Sequence, residues 1–333
     1  MSTPSPTHAS PTSASPARST SDPGVPGRPP VISVSGVTRR FGPVVALDDV
    51  TLDIAPGELV GILGPNGAGK STLLSLVSGQ RKPDSGTVRL CGLDPRDPAA
   101  RTTLGLTPQE TGLPATLKVR EVVDYIGGHY PDAVPTAELL EQFGLTELAE
   151  RQTGGMSGGQ KRRLAVALAL VGRPSVILLD EPTTGLDVSA RQVLWQAIRD
   201  YHSGGGTVLL TSHYLEEVQA LAERVVVVDQ GVVLADDTMD AILDRVGVRR
   251  VVLHSAALGD ADAVVERFPR VTRVQVVGDR YELFSPDADG FVRELVGSGL
   301  EFHGLEVRGA TLEEAFEQMV SHEPAPSDRG AQR

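Results

Sequence analysis

"ELVGILGPNGAGKSTLLSLVSG", Glu58 to Gly79, decides the fold. Its opening "ELVGILG" is a short unbroken apolar run, the pattern of a strand buried on both faces. "STLLSLVSG" follows with a helical pattern closed by glycine. Between them "GPNGAGKS", Gly64 to Ser71, matches G-x-x-x-x-G-K-[ST] in the strand-loop-helix setting which that motif needs. Gly64, Gly67 and Gly69 let the backbone curl around a chain of phosphates. Exposed N–H groups and the helix N-terminus supply partial positive charge, and Lys70 bridges the β and γ phosphates. Ser71 offers its hydroxyl to Mg²⁺. The run Gly64, Pro65, Asn66, Gly67, Ala68, Gly69, Lys70, Ser71 and Thr72 is therefore the candidate triphosphate-binding segment. The alternative is a glycine loop that binds nothing.

Working outward, "SVILLD" (Ser175 to Asp180) and "TVLLTSH" (Thr207 to His213) have the same buried-strand texture. Helical stretches such as "VSARQVLWQAIRDYHSGG" (Val188 to Gly205) separate them. Alternating strands and helices of this kind predict an α/β domain whose ligand sits beyond the strand carboxyl ends. "VISVSGVTRRF" and "VALDDVTLDI" instead predict antiparallel β-structure at one edge. "VILLDEP", Val176 to Pro182, buries four apolar residues and delivers two carboxylates at the strand's end. Asp180 is placed to hold Mg²⁺ through water. Glu181 points differently and is the candidate general base for a water attacking the γ-phosphate. The competing reading makes both residues caps of the next helix.

Composition narrows the partners. With 31 Lys+Arg against 43 Asp+Glu, the net charge of −12 repels a polyphosphate backbone, so no nucleic-acid partner is expected. The single cysteine, Cys91, cannot form an internal disulfide, and in "TVRLCG" it reads as a buried strand thiol suited to a reducing cytoplasm. No apolar run approaches the roughly 18 to 20 residues that span a bilayer. A membrane process would need a second chain for that part. Residues 1–30, rich in Pro, Ser and Thr without an apolar core, read as a disordered tail, as do 321–333.

After "RVVVVDQGVVLADD", a hairpin turning at Asp229 to Gly231, the texture changes. "RRVVLHS", "DADAVVERF", "VTRVQVVGDRYELF", "DGFVRELVGSG" and "GLEVRG" run β-α-β-β-α-β, the split ferredoxin-like order, and a helix "TLEEAFEQMV" follows. The predicted domains are thus an α/β nucleotide-binding domain at 31–245 and a small C-terminal α+β accessory unit at 246–320, the first of which is the cassette named by the resemblance below. A plain capping appendage is the simpler alternative.

From about Val31 to Asp237 the chain resembles the nucleotide-binding subunit of an ABC (ATP-binding cassette) transporter. The resemblance rests on "GPNGAGKS" and "VILLDEP" together with "MSGGQ" between them, which is similar to the ABC signature (Met156, Ser157, Gly158, Gly159, Gln160). "GLD", Gly185 to Asp187, looks like the D-loop, "TSHYLEEV" places His213 like the switch histidine, and "LTPQE" places Gln109 like the Q-loop glutamine, a further metal ligand. "RRFG" places Phe41 like the aromatic that stacks on adenine. Met156 departs from the usual leucine, a volume-conserving change, and Thr107 stands where an apolar residue is preferred. Each residue also has an ordinary reading: His213 and Phe41 as core, Gln109 as a loop amide, Asp187 as a helix N-cap, and Lys161 to Arg163 as a solvated basic run.

The resemblance implies a P-loop ATPase that binds ATP and Mg²⁺. Two copies would pair head to tail, so that the signature, at the N-terminus of its helix, closes on the γ-phosphate held by the partner copy. It also implies a peripheral place on the cytoplasmic face of the membrane, bound to a separate permease chain. The blocks "SHYLEEVQALAERVVVVDQGVVLADDT" and "TLEEAFEQMV" resemble the daunorubicin-type drug-resistance branch, which implies export of a drug or hydrophobic compound. An import ATPase and a soluble non-transport ABC ATPase are the alternatives.

Overall fold

A computed structural model describes residues 29–107, 112–244, 247–309 and 311–321. The tails expected at 1–30 and 321–333 lie outside the described residues, apart from 29, 30 and 321. Strands β1 (Ile32–Phe41) and β2 (Val44–Ile54) pair antiparallel. Strand β3 (Leu59–Leu63) leads through the glycine loop into helix α1 (Lys70–Val77), and β4 (Ser85–Leu90) returns to β1 to complete a three-stranded sheet, β2-β1-β4. Helix α2 (Pro98–Arg101) and β5 (Leu104–Thr107) come next. A helical segment follows with α3 (Val119–Gly127), α4 (Thr136–Gln142) and α5 (Gly158–Leu170). The chain then alternates through β6 (Val176–Asp180), α6 (Val188–Ser203), β7 (Thr207–Thr211), α7 (Leu215–Leu221) and β8 (Arg224–Asp229). Strand β9 (Val232–Thr238) folds back along β8, and α8 (Met239–Asp244) follows.

The central sheet has the order β5-β6-β7-β3-β8-β9, parallel except for the antiparallel β9. Every residue of β3, β6 and β7 is buried, because both sheet faces are covered. The two-residue period sorts their side chains into two cores. Val60 and Ile62 face α1 and the antiparallel sheet, where Leu73, Val77 and Ile32 pack. Leu59 and Leu63 face the other way, against the core that holds Leu164, Leu194 and Val218. Gly61 lies on that second side because a Cβ there would come 2.4 Å from Val218 Cγ1. Parallel pairing also brings the carboxyl ends of β3, β6 and β7 to one edge, where the site forms.

Two expectations need correction. Cys91 is exposed rather than buried. Leu90 and Leu93 exchange both backbone hydrogen bonds across Cys91 (φ +50°) and Gly92 (φ +80°), a primed two-residue turn that lifts the thiol off the strand. The second correction concerns the accessory unit. Strands β10 (Arg249–His254), β11 (Arg273–Val277), β12 (Arg280–Ser285) and β13 (His303–Arg308), with helices α9 (Ala261–Arg267) and α10 (Ala288–Gly297), form an antiparallel sheet of order β11-β12-β10-β13. This is the interleaved β-α-β topology. Its own core centres on Val251, Leu253, Leu283, Phe268 and Phe291. Helix α11 (Leu312–Ser321), assigned by sequence to the same unit, instead buries Leu312 and Ala315 in the cassette core with α7 and α8. Among the described residues no helix is long and apolar enough to cross a membrane.

Candidate active site

The glycine loop is held open by backbone crowding from outside. Gly69 has φ +108°, and a Cβ there would lie 2.4 Å from the Ala46 carbonyl oxygen; at Gly64 it would lie 2.1 Å from that of Val228. Only glycine fits this path. Pro65, Asn66 and Gly67 form the exposed crest, and Ala68 is buried beneath it. Lys70 is 6 % exposed, and its Nζ donates to the carbonyls of Gly64 (2.7 Å) and Pro65 (3.0 Å). Burial lowers the pKa of its ammonium, while Glu181 and Asp180 act to raise it. The lysine is thus held along the inside of the glycine loop, with two carboxylates nearby.

Asp180 ends β6 beside β7. Its Oδ1 accepts from Thr211 Oγ1 at 2.6 Å and from Ser71 Oγ at 3.3 Å. A hydroxyl and a carboxylate set this close, from the first turn of α1 and the end of β6, are hard oxygen donors of the kind Mg²⁺ takes, with its other positions left to water and phosphate oxygens. The donor set therefore fits Mg²⁺.

Glu181 follows with φ +49°, a left-handed conformation that costs on the order of 1–3 kcal/mol outside glycine. Its N–H donates to the Thr211 carbonyl at 3.1 Å. The turn aims the carboxylate across to β7, where Oε2 lies 3.2 Å from His213 Nδ1 and accepts from Thr184 Oγ1 at 3.3 Å. The His213 ring packs on Tyr214 with centroids 4.0 Å apart. Asn66, Lys70, Ser71, Thr72, Glu181 and His213 all line one cleft. Phe41, 38 % exposed at the end of β1, lines an adjoining cleft with Ser71, Thr72 and Asp180, and the guanidiniums of Arg39 and Arg81 lie 4.9 and 5.0 Å from its ring centre. Gln109 lies outside the described residues.

The signature stands apart from this cleft, and none of its residues lines it. Met156 is buried in the core. Ser157 Oγ accepts from Gln160 N at 3.2 Å while Gln160 Oε1 accepts from Ser157 N at 3.0 Å, a reciprocal cap on α5. A Cβ on Gly158 would meet nothing within 4 Å, so the helix end is open to an incoming group. Gly159 packs near Leu186, beside Asp187. The Asp187 side chain accepts from Ala190 N at 2.7 Å and caps α6.

Two buried charged residues that brace this site escaped the sequence reading. The run Lys161 to Arg163 is not a solvated face: Arg162 is 5 % exposed, and its guanidinium donates to the carbonyls of Asp180, Glu181 (2.8 Å) and Pro182 (3.3 Å). Arg163 donates to the carbonyls of Phe143 (2.9 Å) and Gly144 (3.1 Å). The signature helix thereby grips the turn that carries Glu181. Burial lowers the Arg162 pKa, opposed by Asp180, Glu181 and Glu217. Glu217, fully buried on α7, accepts from Ser212 Oγ (2.6 Å), Thr183 Oγ1 (3.0 Å) and Trp195 Nε1 (3.2 Å). Burial raises its pKa despite those donors. It ties the residue before His213 to the turn after Glu181. The signal for Arg162 was its place among Leu164, Ala165 and Val166 on a helix that has no polar stripe.

Comparison with known proteins agrees with this geometry. The family model described as ABC transporter matches residues 47–184. The daunorubicin resistance ATP-binding protein DrrA3 of Streptomyces coeruleorubidus is 39 % identical over 298 residues, covering 86 % of this chain and 94 % of that protein. The doxorubicin resistance ATP-binding protein DrrA of Mycobacterium tuberculosis is 33 % identical over 309 residues, 87 % of this chain and 93 % of its own. A solved ATP-binding subunit of an ABC transporter superposes with a TM-score of 0.60 at 26 % identity, covering 65 % of this chain and 93 % of that one. The ADP- and phosphate-bound dimer of the cassette MJ0796 gives 0.58 at 28 % identity, over 62 % and 98 % of the two chains. A phosphate loop, a carboxylate pair at the end of β6 and a histidine at the end of β7, set in this fold and matched across nearly the whole length of such relatives, establish that the chain belongs to the ABC transporter family and carries its ATP-binding cassette.

Proposed function

We propose that this chain is the ATP-hydrolysing subunit of an exporter, working as a pair of copies beneath a separate permease chain on the cytoplasmic face of the membrane. Lys70 and the loop N–H groups hold the β and γ phosphates, and Phe41 stacks on the adenine. Ser71 and Asp180 hold Mg²⁺, which neutralises phosphate charge when bound. Glu181 accepts a proton from the attacking water, and His213, beside it, contacts the γ-phosphate and keeps the carboxylate oriented. The open end of α5 at Ser157 to Gly159 meets the partner copy's γ-phosphate, and Asp187 lies along the same seam. Gln109 is proposed as a Mg²⁺ ligand and, with α3 and α4, as the link to the permease.

Export is favoured over import by the extent of the resemblance. The 298 residues aligned to the daunorubicin-resistance relative exceed what a cassette at 31–245 can supply, so the likeness runs into the C-terminal unit. A Nod factor export ATP-binding protein from Mesorhizobium japonicum aligns over 301 residues in the same way. The inferred cargo is a drug-like or hydrophobic compound.

The observation that carries the reading is the meeting of Glu181 and His213, 3.2 Å apart, in the cleft that holds Lys70. Glu181→Gln keeps the shape and removes the proton acceptor. The expected result is a loss of about 10²- to 10⁴-fold in turnover, with an ATP-dependent dimer accumulating on size-exclusion chromatography. Wild-type hydrolysis by this variant would sink the assignment.

A further inference from the structure

The C-terminal sheet carries a cluster that the cassette chemistry does not use. His254 ends β10, His303 begins β13 directly across from it, and Asp279 sits in the turn between β11 and β12. One ligand atom from each of the three lies within 4.8 Å of the others. We propose that His254, Asp279 and His303 form a binding site for a divalent transition-metal ion, Zn²⁺ foremost, at this end of the sheet.

The donor set comes first. Two imidazoles and one carboxylate are the borderline ligands that Zn²⁺ and its first-row neighbours take, and three protein ligands leave a fourth position open. Distance comes next. Metal–ligand bonds of about 2.0–2.2 Å at tetrahedral angles place neighbouring ligand atoms about 3.3–3.5 Å apart. His254 Nδ1 and Asp279 Oδ1, hydrogen-bonded to each other at 3.3 Å, have the separation of one edge of that figure, and an incoming ion would take the place of the shared proton. The rings of His254 and His303 lie nearly parallel, with centroids 5.3 Å apart and an interplanar angle of 21°. The exposed His303 imidazole closes the remaining gap by side-chain rotation, without backbone change.

The three ligand-bearing segments are also fixed from behind. Ser255, 3 % exposed, donates its N–H to the Asp279 carbonyl at 2.9 Å and its hydroxyl to the Glu301 carbonyl at 2.7 Å. One buried residue next to His254 thus pins both the turn that carries Asp279 and the approach to His303. Gly304, with φ +65°, follows His303, and a Cβ there would sit at ordinary contact distance, 3.4 Å, from His254 Cδ2, so the chain turns directly beside the ring. The positive charge nearest in the ladder is Arg280, opposite His254, and its guanidinium is turned to Glu282 Oε1 at 2.8 Å. Preorganised support of this kind is what distinguishes a metal site from a chance meeting of side chains.

The test uses the untagged full-length chain stripped with a chelator, titrated with Zn²⁺ by calorimetry, with Mg²⁺ as the control ion. The expected result is one tight equivalent of Zn²⁺, not displaced by Mg²⁺, weakened about 100-fold or more in the His254→Ala/His303→Ala double variant. His303→Cys restores binding, because a thiolate on the same strand position is also a Zn²⁺ ligand. Co²⁺ gives a second reading through its visible bands, which appear with wild type and are absent with the double variant. Far-UV circular dichroism and Mg²⁺-supported ATP hydrolysis of the double variant, both measured on stripped protein after the chelator is removed and without added Zn²⁺, stay at wild-type values, which separates lost ligands from lost fold. Absence of a one-equivalent Zn²⁺ site in wild type, or the same affinity in the double variant, overturns the proposal.

Discussion

Arg162 offers the sharpest test of how the signature helix and the catalytic turn are joined. Its guanidinium serves three successive carbonyls, those of Asp180, Glu181 and Pro182. Replacing it with methionine keeps the aliphatic volume and removes all three donors. Each buried carbonyl left without a partner costs about 1–3 kcal/mol. The bond to Pro182 is long and the Glu181 carbonyl keeps the Thr184 N–H as a donor at 3.3 Å, so the loss at Asp180 is the full one and the other two are partial, about 2–6 kcal/mol in all. The desolvation that already lowers the Arg162 pKa is relieved in the variant, which offsets part of this. A net loss of about 2–4 kcal/mol is expected, read as a fall in denaturant midpoint. The kinetic effect should be larger than a simple loss of folded protein. Glu181 stands at φ +49°, and with its carbonyl held only by the Thr184 N–H at 3.3 Å the turn relaxes and the carboxylate moves off its line to His213. A displacement near 1 Å costs about 10²-fold in rate. Arg162→Met should therefore lower kcat by about 10²-fold while the KM for ATP stays close to wild type, since Lys70 and the glycine loop are untouched. Arg162→Lys, with one ammonium for three carbonyls, should fall between. Steady-state phosphate release on protein confirmed as folded by circular dichroism decides the matter. A wild-type kcat alongside a reduced midpoint would refute the positioning role and leave Arg162 as a structural residue only.

Two further outcomes follow from burial. Because burial raises the folded-state pKa of Glu217 above its unfolded value, the stability this group contributes is full below about pH 4.5 and declines as pH rises through the folded pKa. The Tm difference between wild type and Glu217→Gln should therefore shift against wild type as pH is raised from about 5 to 8; parallel or oppositely sloped curves would contradict this. Leu312 is fully buried where α11 meets the cassette, so Leu312→Ala should cost about 2–4 kcal/mol and lower the melting temperature of the ATP-binding half itself; a variant in which that half melts unchanged would show that α11 does not belong to its core.

Much of this was legible in the sequence because the cassette's chemistry is local. Gly64 to Ser71 and Val176 to Glu181 each lie on one strand and its outgoing turn, so a buried apolar run fixes where the chemical groups emerge. The β-α-β-β-α-β reading worked for a similar reason, since each of its elements is a short run bounded by turn residues. What stayed hidden depends on contacts distant in sequence. Arg162 is one of three consecutive basic residues, and nothing local reveals that it lies under a turn 18 to 20 residues away. Glu217 sits in a helix whose first turn is acidic, yet it faces inward to Trp195 and Ser212. Cys91 misled because the alternation of "TVRLC" continues through a residue that the chain uses for a turn. Helix α11 misleads because it follows β13 along the chain yet packs on α7 and α8 in space.

That last contact sets an order of events in the birth of the protein. The cassette core is sealed in part by Leu312 and Ala315, which are synthesised only after the whole β10 to β13 unit. The unit can fold on its own core as soon as it emerges, whereas the nucleotide-binding half, translated first, keeps part of α7 and α8 uncovered until α11 arrives. Completion of the cassette is thus deferred until α11, which lies beyond the whole β10 to β13 unit, has been made. A nascent chain stalled before residue 312 would carry an intact glycine loop and a bare apolar strip, an object for chaperones.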